Sequence, residues 1–155
     1  MERILIVEDD EDIRDLLAET LKRWHYDPSV ASNGKEGLEQ FRSQPFPLVI
    51  TDIRMPIMDG LKMLKTIKKE NPKTSLIVIT GYPSVDSAVE SLIEGADSYL
   101  IKPINLDDLK VKIKKSFENR KIQQVLASTK IANFVLVALI PVWLIAGYLF
   151  ARLLD

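Results

Sequence analysis

Four short runs constrain this chain most: RILIV (3–7), PLVIT (47–51), SLIVIT (75–80) and SYLI (98–101). Each is apolar throughout, with no alternation of polar and apolar residues. A strand with one wet face alternates, whereas a strand buried on both faces does not, and parallel sheets bury both faces. A weaker run, YDPSVAS (26–32), is a candidate fifth strand.

Between the runs the apolar period changes from continuous to helical. Ile13, Leu16, Leu17, Thr20, Leu21 and Trp24 share one helix face. The stretch 34–43 is a shorter candidate. Leu61, Leu64 and Ile67 mark a helix opening after the Asp59-Gly60 turn. Val85, Ala88, Val89, Leu92 and Ile93 mark another, with Ser84 placed to cap it. Leu106, Leu109, Ile113 and Phe117 mark the last, where Asn105 caps and Asp108 follows three residues on. Strand and helix alternate five times. The expected fold class is α/β: a five-stranded parallel sheet, doubly wound in the flavodoxin-like manner.

In such open sheets ligands bind beyond the carboxyl ends of the strands. Those ends carry Glu8, Asp9 and Asp10, then Asp52, then Thr80, then Lys102. Folding therefore gathers carboxylates, one hydroxyl and one ammonium at one edge. Clustered carboxylates raise one another's pKa unless a cation is present. A hard divalent ion with oxygen ligands answers this, and Mg²⁺ suits two or three carboxylates plus waters and a phosphate. The charges balance on paper: Glu8, Asp9 and Asp52 against Mg²⁺ and Lys102. A carboxylate in that setting can act as a nucleophile toward phosphorus.

Four segments, VEDDEDIR (7–14), TDIRMPIMDG (51–60), ITGYPSVDSA (79–88) and SYLIKPI (98–104), resemble the receiver domain of two-component response regulators, in order and at compatible spacing. The resemblance covers residues 2–120. It implies that Asp52 is the phosphoacceptor and that Glu8 and Asp9 hold Mg²⁺, with Asp9 the more direct ligand. Asp10, beside the pair, leaves open which two acids serve the metal. It further implies a backbone-carbonyl ligand at Arg54, a switch hydroxyl at Thr80, a switch aromatic at Tyr99, and a catalytic Lys102 followed by a cis Lys102-Pro103 bond. The phosphoryl group would come from a histidine kinase or a phosphotransfer protein, because nothing marks His25, the lone histidine, as a donor. The expected output is a phosphorylation-dependent protein–protein surface rather than an enzymatic product.

Composition narrows the alternatives. A formal net charge of −1 gives no support for nucleic-acid binding, and a chain without cysteine has neither disulfides nor cysteine-ligated zinc. The N-terminus lacks the pattern of a signal peptide.

The remainder of the chain has another character. Residues 131–150, IANFVLVALIPVWLIAGYLF, contain no charge. Twenty residues at 1.5 Å each span about 30 Å, the hydrocarbon thickness of a bilayer. Seven Lys and Arg residues between 110 and 130 precede this segment and only Arg152 follows it. The positive-inside rule then keeps the receiver cytoplasmic. The expected organisation is a receiver over 1–121, a juxtamembrane linker over 122–130, a single membrane helix over 131–150 in contact with lipid, and a tail over 151–155. Gly147 and Ala151 give a weak small-xxx-small signal for a homodimer. Two other readings stand beside this one: a scaffold indifferent to phosphorylation, and a piece of a larger receiver-containing membrane protein.

Overall fold

The computed structural model describes residues 1–81, 92 and 94–153, without the side chains of 127, 128, 130–134, 136, 140 and 142–153. Five strands form one parallel sheet: β1 (Arg3–Val7), β2 (Asp27–Ala31), β3 (Leu48–Asp52), β4 (Ser75–Thr80) and β5 (Ser98–Ile101). Their order is β2-β1-β3-β4-β5, with Ile6 paired to Val30 on one side and Ile50 on the other. Helices α1 (Glu11–Arg23), α2 (Gly34–Ser43) and α3 (Gly60–Glu70) link the first four strands, and α4 (Leu106–Leu153) follows the last. The weak run 26–32 is thus a strand. The helix expected over 85–93, with its cap at Ser84, lies almost wholly outside the described residues.

The continuous apolar runs are explained by two separate cores. Leu5, Val7, Val49, Leu76 and Val78 pack with Leu38, Phe41, Met63 and Ile67 from α2 and α3. Ile4, Ile6, Leu48, Ile50, Ile77 and Ile79 pack on the other face with Leu17, Leu21, Leu109 and Ile113 from α1 and α4. Successive residues of a strand point to opposite faces, so both sets must be apolar. Each such side chain, fully buried, stabilises the fold by about 1.5–3 kcal/mol. Exposed ion pairs such as Arg23–Glu19 contribute at most about 1 kcal/mol.

Helix starts follow local rules. Asp10, Asn33, Asp59 and Asn105 accept hydrogen bonds from the backbone N–H groups of Ile13, Glu36, Lys62 and Asp108. All four caps lie at the sheet edge where the strands end.

The chain divides into two compact units, Met1–Glu118 and Asn119–Asp155. Residues 122–130, expected as a juxtamembrane linker, are helical backbone within α4. The reason is compositional: no Gly or Pro occurs between Leu106 and Ile140 to stop the helix. Among the described residues no helix is long and apolar enough to cross a membrane. Most side chains of the expected span, 131–150, lie outside that description.

His25 has a structural role. It adopts φ 64° one residue past Trp24, the C-cap of α1. Its N–H bonds the Lys22 carbonyl and the Tyr26 N–H bonds the Leu21 carbonyl, each at 3.0 Å. This pair of bonds closes the helix as a Schellman motif, a position that glycine occupies without steric cost. His25→Gly is expected to stabilise the domain by about 0.5–1 kcal/mol, read as a higher urea midpoint with an unchanged slope.

Candidate functional site

Local geometry delivers each group to the β1–β3 crevice, where the strand order reverses direction. The Glu8 N–H bonds the Ala31 carbonyl at 3.0 Å, continuing the ladder one residue past β1. Glu8 is thereby drawn inward and is only 2% exposed, whereas Asp9 is exposed. Arg14 donates to the Glu8 carbonyl at 2.9 Å and holds the turn. Asp52 ends β3, and its Oδ1 accepts from the backbone N–H groups of Ile53 and Arg54.

Lys102 ties the site together. Its Nζ lies 2.6 Å from Asp52 Oδ2 and 2.8 Å from Glu8 Oε2. It extends from the end of β5, past β4, and the Lys102-Pro103 bond is cis, as the resemblance implies. Carboxylate oxygens of Glu8, Asp9 and Asp52 lie within 4.8 Å of one another.

Burial pushes the Glu8 carboxyl above its usual range. Lys102 opposes that rise and the charge of Asp52 adds to it. Burial also works against the Lys102 ammonium, but its hydrogen bonds and charge interactions with Asp52 and Glu8 prevail and hold its pKa above the ordinary lysine value. One ammonium facing three carboxylates leaves the cluster short of positive charge. A divalent cation with oxygen ligands fits that deficit, and Glu8, Asp9 and Asp52 are the groups that would hold it. Asp10 is engaged as the cap of α1, its side chain accepting from the Ile13 N–H.

Thr80 is buried at the end of β4. Tyr99 is half-buried against the core formed by α2 and α3. Arg54 is exposed beside Asp52.

Sequence reasoning missed the loop that carries these groups. The Gly60 N–H bonds the Ile53 carbonyl at 2.8 Å, bringing the start of α3 against β3. A Cβ on Gly60 would sit 1.8 Å from the Asp52 carbonyl oxygen. Asp59-Gly60 had signalled only a helix start. At the loop tip, the Met58 N–H bonds the Pro56 carbonyl at 2.7 Å and Ile57 takes φ 69°. That is a γ-turn of the rare, strained hand, centred on a β-branched residue. The cost is about 1–2 kcal/mol.

A parallel doubly wound domain with a carboxylate cluster and a lysine at its strand ends has the features that the resemblance to receiver domains implies. A family profile described as the response regulator receiver domain matches residues 4–114, and the chain belongs to that family. It is 43% identical to the transcriptional regulatory protein ZraR of Escherichia coli over 113 residues, 73% of this chain and 26% of that protein. It is 40% identical to the response regulator protein PilR of Pseudomonas aeruginosa over 109 residues, 70% of this chain and 24% of PilR. The chain thus spans about a quarter of the length of these relatives. The CheY-like receiver of Methanospirillum hungatei superimposes with a TM-score of 0.77 at 36% identity, covering 79% of this chain and 98% of that one. The response regulator TrrA of Thermotoga maritima, in complex with Mg²⁺ and beryllofluoride, does so at 0.69 and 40%, covering 75% and 99%. Receiver domains are signalling domains that bind Mg²⁺ through acidic residues and interact with histidine kinases or phosphotransfer proteins. The Glu8, Asp9 and Asp52 cluster is consistent with that metal site.

The close approach at Gly60 makes a specific demand. Gly60→Ala is expected to destabilise the domain by roughly 2–3 kcal/mol, because backbone must shift to admit the methyl group. Gly81→Ala is the control, since among the described residues its Cβ would meet nothing closer than 3.7 Å and should change stability by less than about 1 kcal/mol. Urea denaturation of the two variants reads the difference.

Proposed function

We propose that this chain is a membrane-tethered phosphoacceptor that receives a phosphoryl group on Asp52 and reports it through an altered protein-binding surface. The observation that carries the reading is the bridge from Lys102 to both Glu8 and Asp52. An oxygen of Asp52 attacks the donor phosphorus, the bond to the donor's leaving group breaks, and an aspartyl phosphate forms. The backbone N–H groups and Lys102 fix the carboxylate before reaction, so little reorganisation is needed. Lys102 then balances charge on the transferring oxygens. Glu8, Asp9 and Asp52, with the Arg54 carbonyl, would hold Mg²⁺, which would supply additional positive charge beside the transferring oxygens. That the similar receiver TrrA was solved in complex with Mg²⁺ and beryllofluoride supports a Mg²⁺ requirement here. Thr80, buried at the adjoining strand end, hydrogen-bonds the new phosphoryl group. Tyr99 moves inward with it, which couples the site to the β5 surface. A histidine kinase or phosphotransfer protein is the donor.

The tether is residues 131–150, supported by their length and lack of charge and by the basic residues before them. This places the receiver on the cytoplasmic face, with a partner protein or a second copy of the chain reading the phosphorylated surface near the bilayer.

Acetyl phosphate with Mg²⁺ is expected to label the wild type and not Asp52→Asn, with chelation of the metal abolishing the signal. Equal labelling of both proteins refutes Asp52 as the acceptor. The tether predicts retention in the membrane pellet through alkaline carbonate washing. Release into the supernatant refutes it.

A further inference from the structure

We infer that Ile57 is a specificity-determining contact for the protein that donates the phosphoryl group. The inference rests on the assignment of Asp52 as acceptor and goes beyond it, to what must cover the site during transfer.

Three observations converge on this residue. Ile57 is 79% exposed, the most exposed large apolar side chain among the described residues after Met1. It sits at the tip of the loop joining Asp52 to α3, on the sheet edge where the carboxylates lie. Its backbone is held at φ 69°, a conformation that glycine or asparagine adopts far more readily. Folding gains nothing visible from the choice: a side chain so exposed packs against little, and the γ-turn bond from Met58 to Pro56 is made by backbone alone. A β-branched residue kept in a disfavoured conformation where its side chain lies mostly in water points to a partner outside the chain.

The chemistry of transfer supplies the partner. The Asp52 side chain is 9% exposed and the Lys102 side chain 16%, so little of the acceptor's surface is open to a donor phosphorus. A protein carrying phosphohistidine has to seat its body on the surrounding rim to reach in. Ile57, on the same edge, then leaves water against an apolar patch of that protein. A small phosphodonor reaches Asp52 without touching Ile57. The two kinds of donor therefore separate a docking contact from an effect on the site itself.

The experiment compares them directly on the full chain. Ile57→Gly and Ile57→Asn remove the apolar contact while tolerating the turn, and Ile57→Leu keeps an apolar side chain. The protein donor is a histidine-kinase catalytic core, phosphorylated with ATP and chosen because it labels the wild-type chain. The small donor is acetyl phosphate. Ile57→Gly and Ile57→Asn are expected to melt no lower than wild type and to accept from acetyl phosphate at the wild-type rate. Their transfer from the kinase core should fall about tenfold, equivalent to about 1.4 kcal/mol, while Ile57→Leu stays within about twofold. Undiminished kinase transfer to the glycine and asparagine variants overturns the inference. So does a parallel loss with both donors, which would place the effect in the site. A wild type that acetyl phosphate fails to label would instead overturn the assignment of Asp52.

Discussion

The bridge from Lys102 to Glu8 and Asp52 is the interaction on which the site depends. It joins the ends of three strands, and its partners lie 94 and 50 residues away in the chain. Glu8 is almost wholly buried, and a buried carboxylate without a counter-charge costs several kcal/mol. Lys102 supplies the counter-charge, and the carboxylates in turn hold its ammonium charged despite burial. The balance is incomplete, because Asp9 adds a third carboxylate within 4.8 Å of the other two. That residual negative charge makes the site a receptor for a cation. It also keeps the site at rest from being an electrostatically satisfied core.

Acidic residues are dense along this edge, and the fold gives them different work. Asp10 and Asp59 cap α1 and α3, where a carboxylate meets free N–H groups and the positive end of the helix dipole. Glu8, Asp9 and Asp52 face one another instead. The same side-chain chemistry thus starts helices at some positions and forms the site at others. The loop after β3 serves both ends, since Gly60 brings α3 against the Asp52 carbonyl while the γ-turn at Ile57 closes the tip.

Much of the fold was legible because strand and helix signals are local. The four apolar runs match β1, β3, β4 and β5 within a residue, and the helical spacings match α1, α3 and the start of α4. Leu16, assigned to the apolar face of α1, is half exposed, because spacing marks a stripe but not how widely the sheet covers it. The stretch 122–130 continues α4 without a break, because a change in composition does not interrupt a helix; Gly, Pro or competing packing does. Arg14 lay inside a recognised motif, yet its bond to the Glu8 carbonyl depends on the path of the turn and has no sequence signal.

The sequence by itself determined which segments are buried on both faces, where helices start, and which residue types gather at the carboxyl edge. Each depends on near neighbours in the chain and on the period of the backbone. Tertiary structure alone decided which carboxylates meet. Asp9 and Asp10 are adjacent and chemically identical, yet the helix start takes Asp10 as its cap while Asp9 joins Glu8 and Asp52. It also decided that Lys102, at the far end of β5, reaches both Glu8 and Asp52, because that follows from the strand order β2-β1-β3-β4-β5. Interactions across 94 residues carry no periodicity for a sequence to display, so only the folded sheet brings them into view.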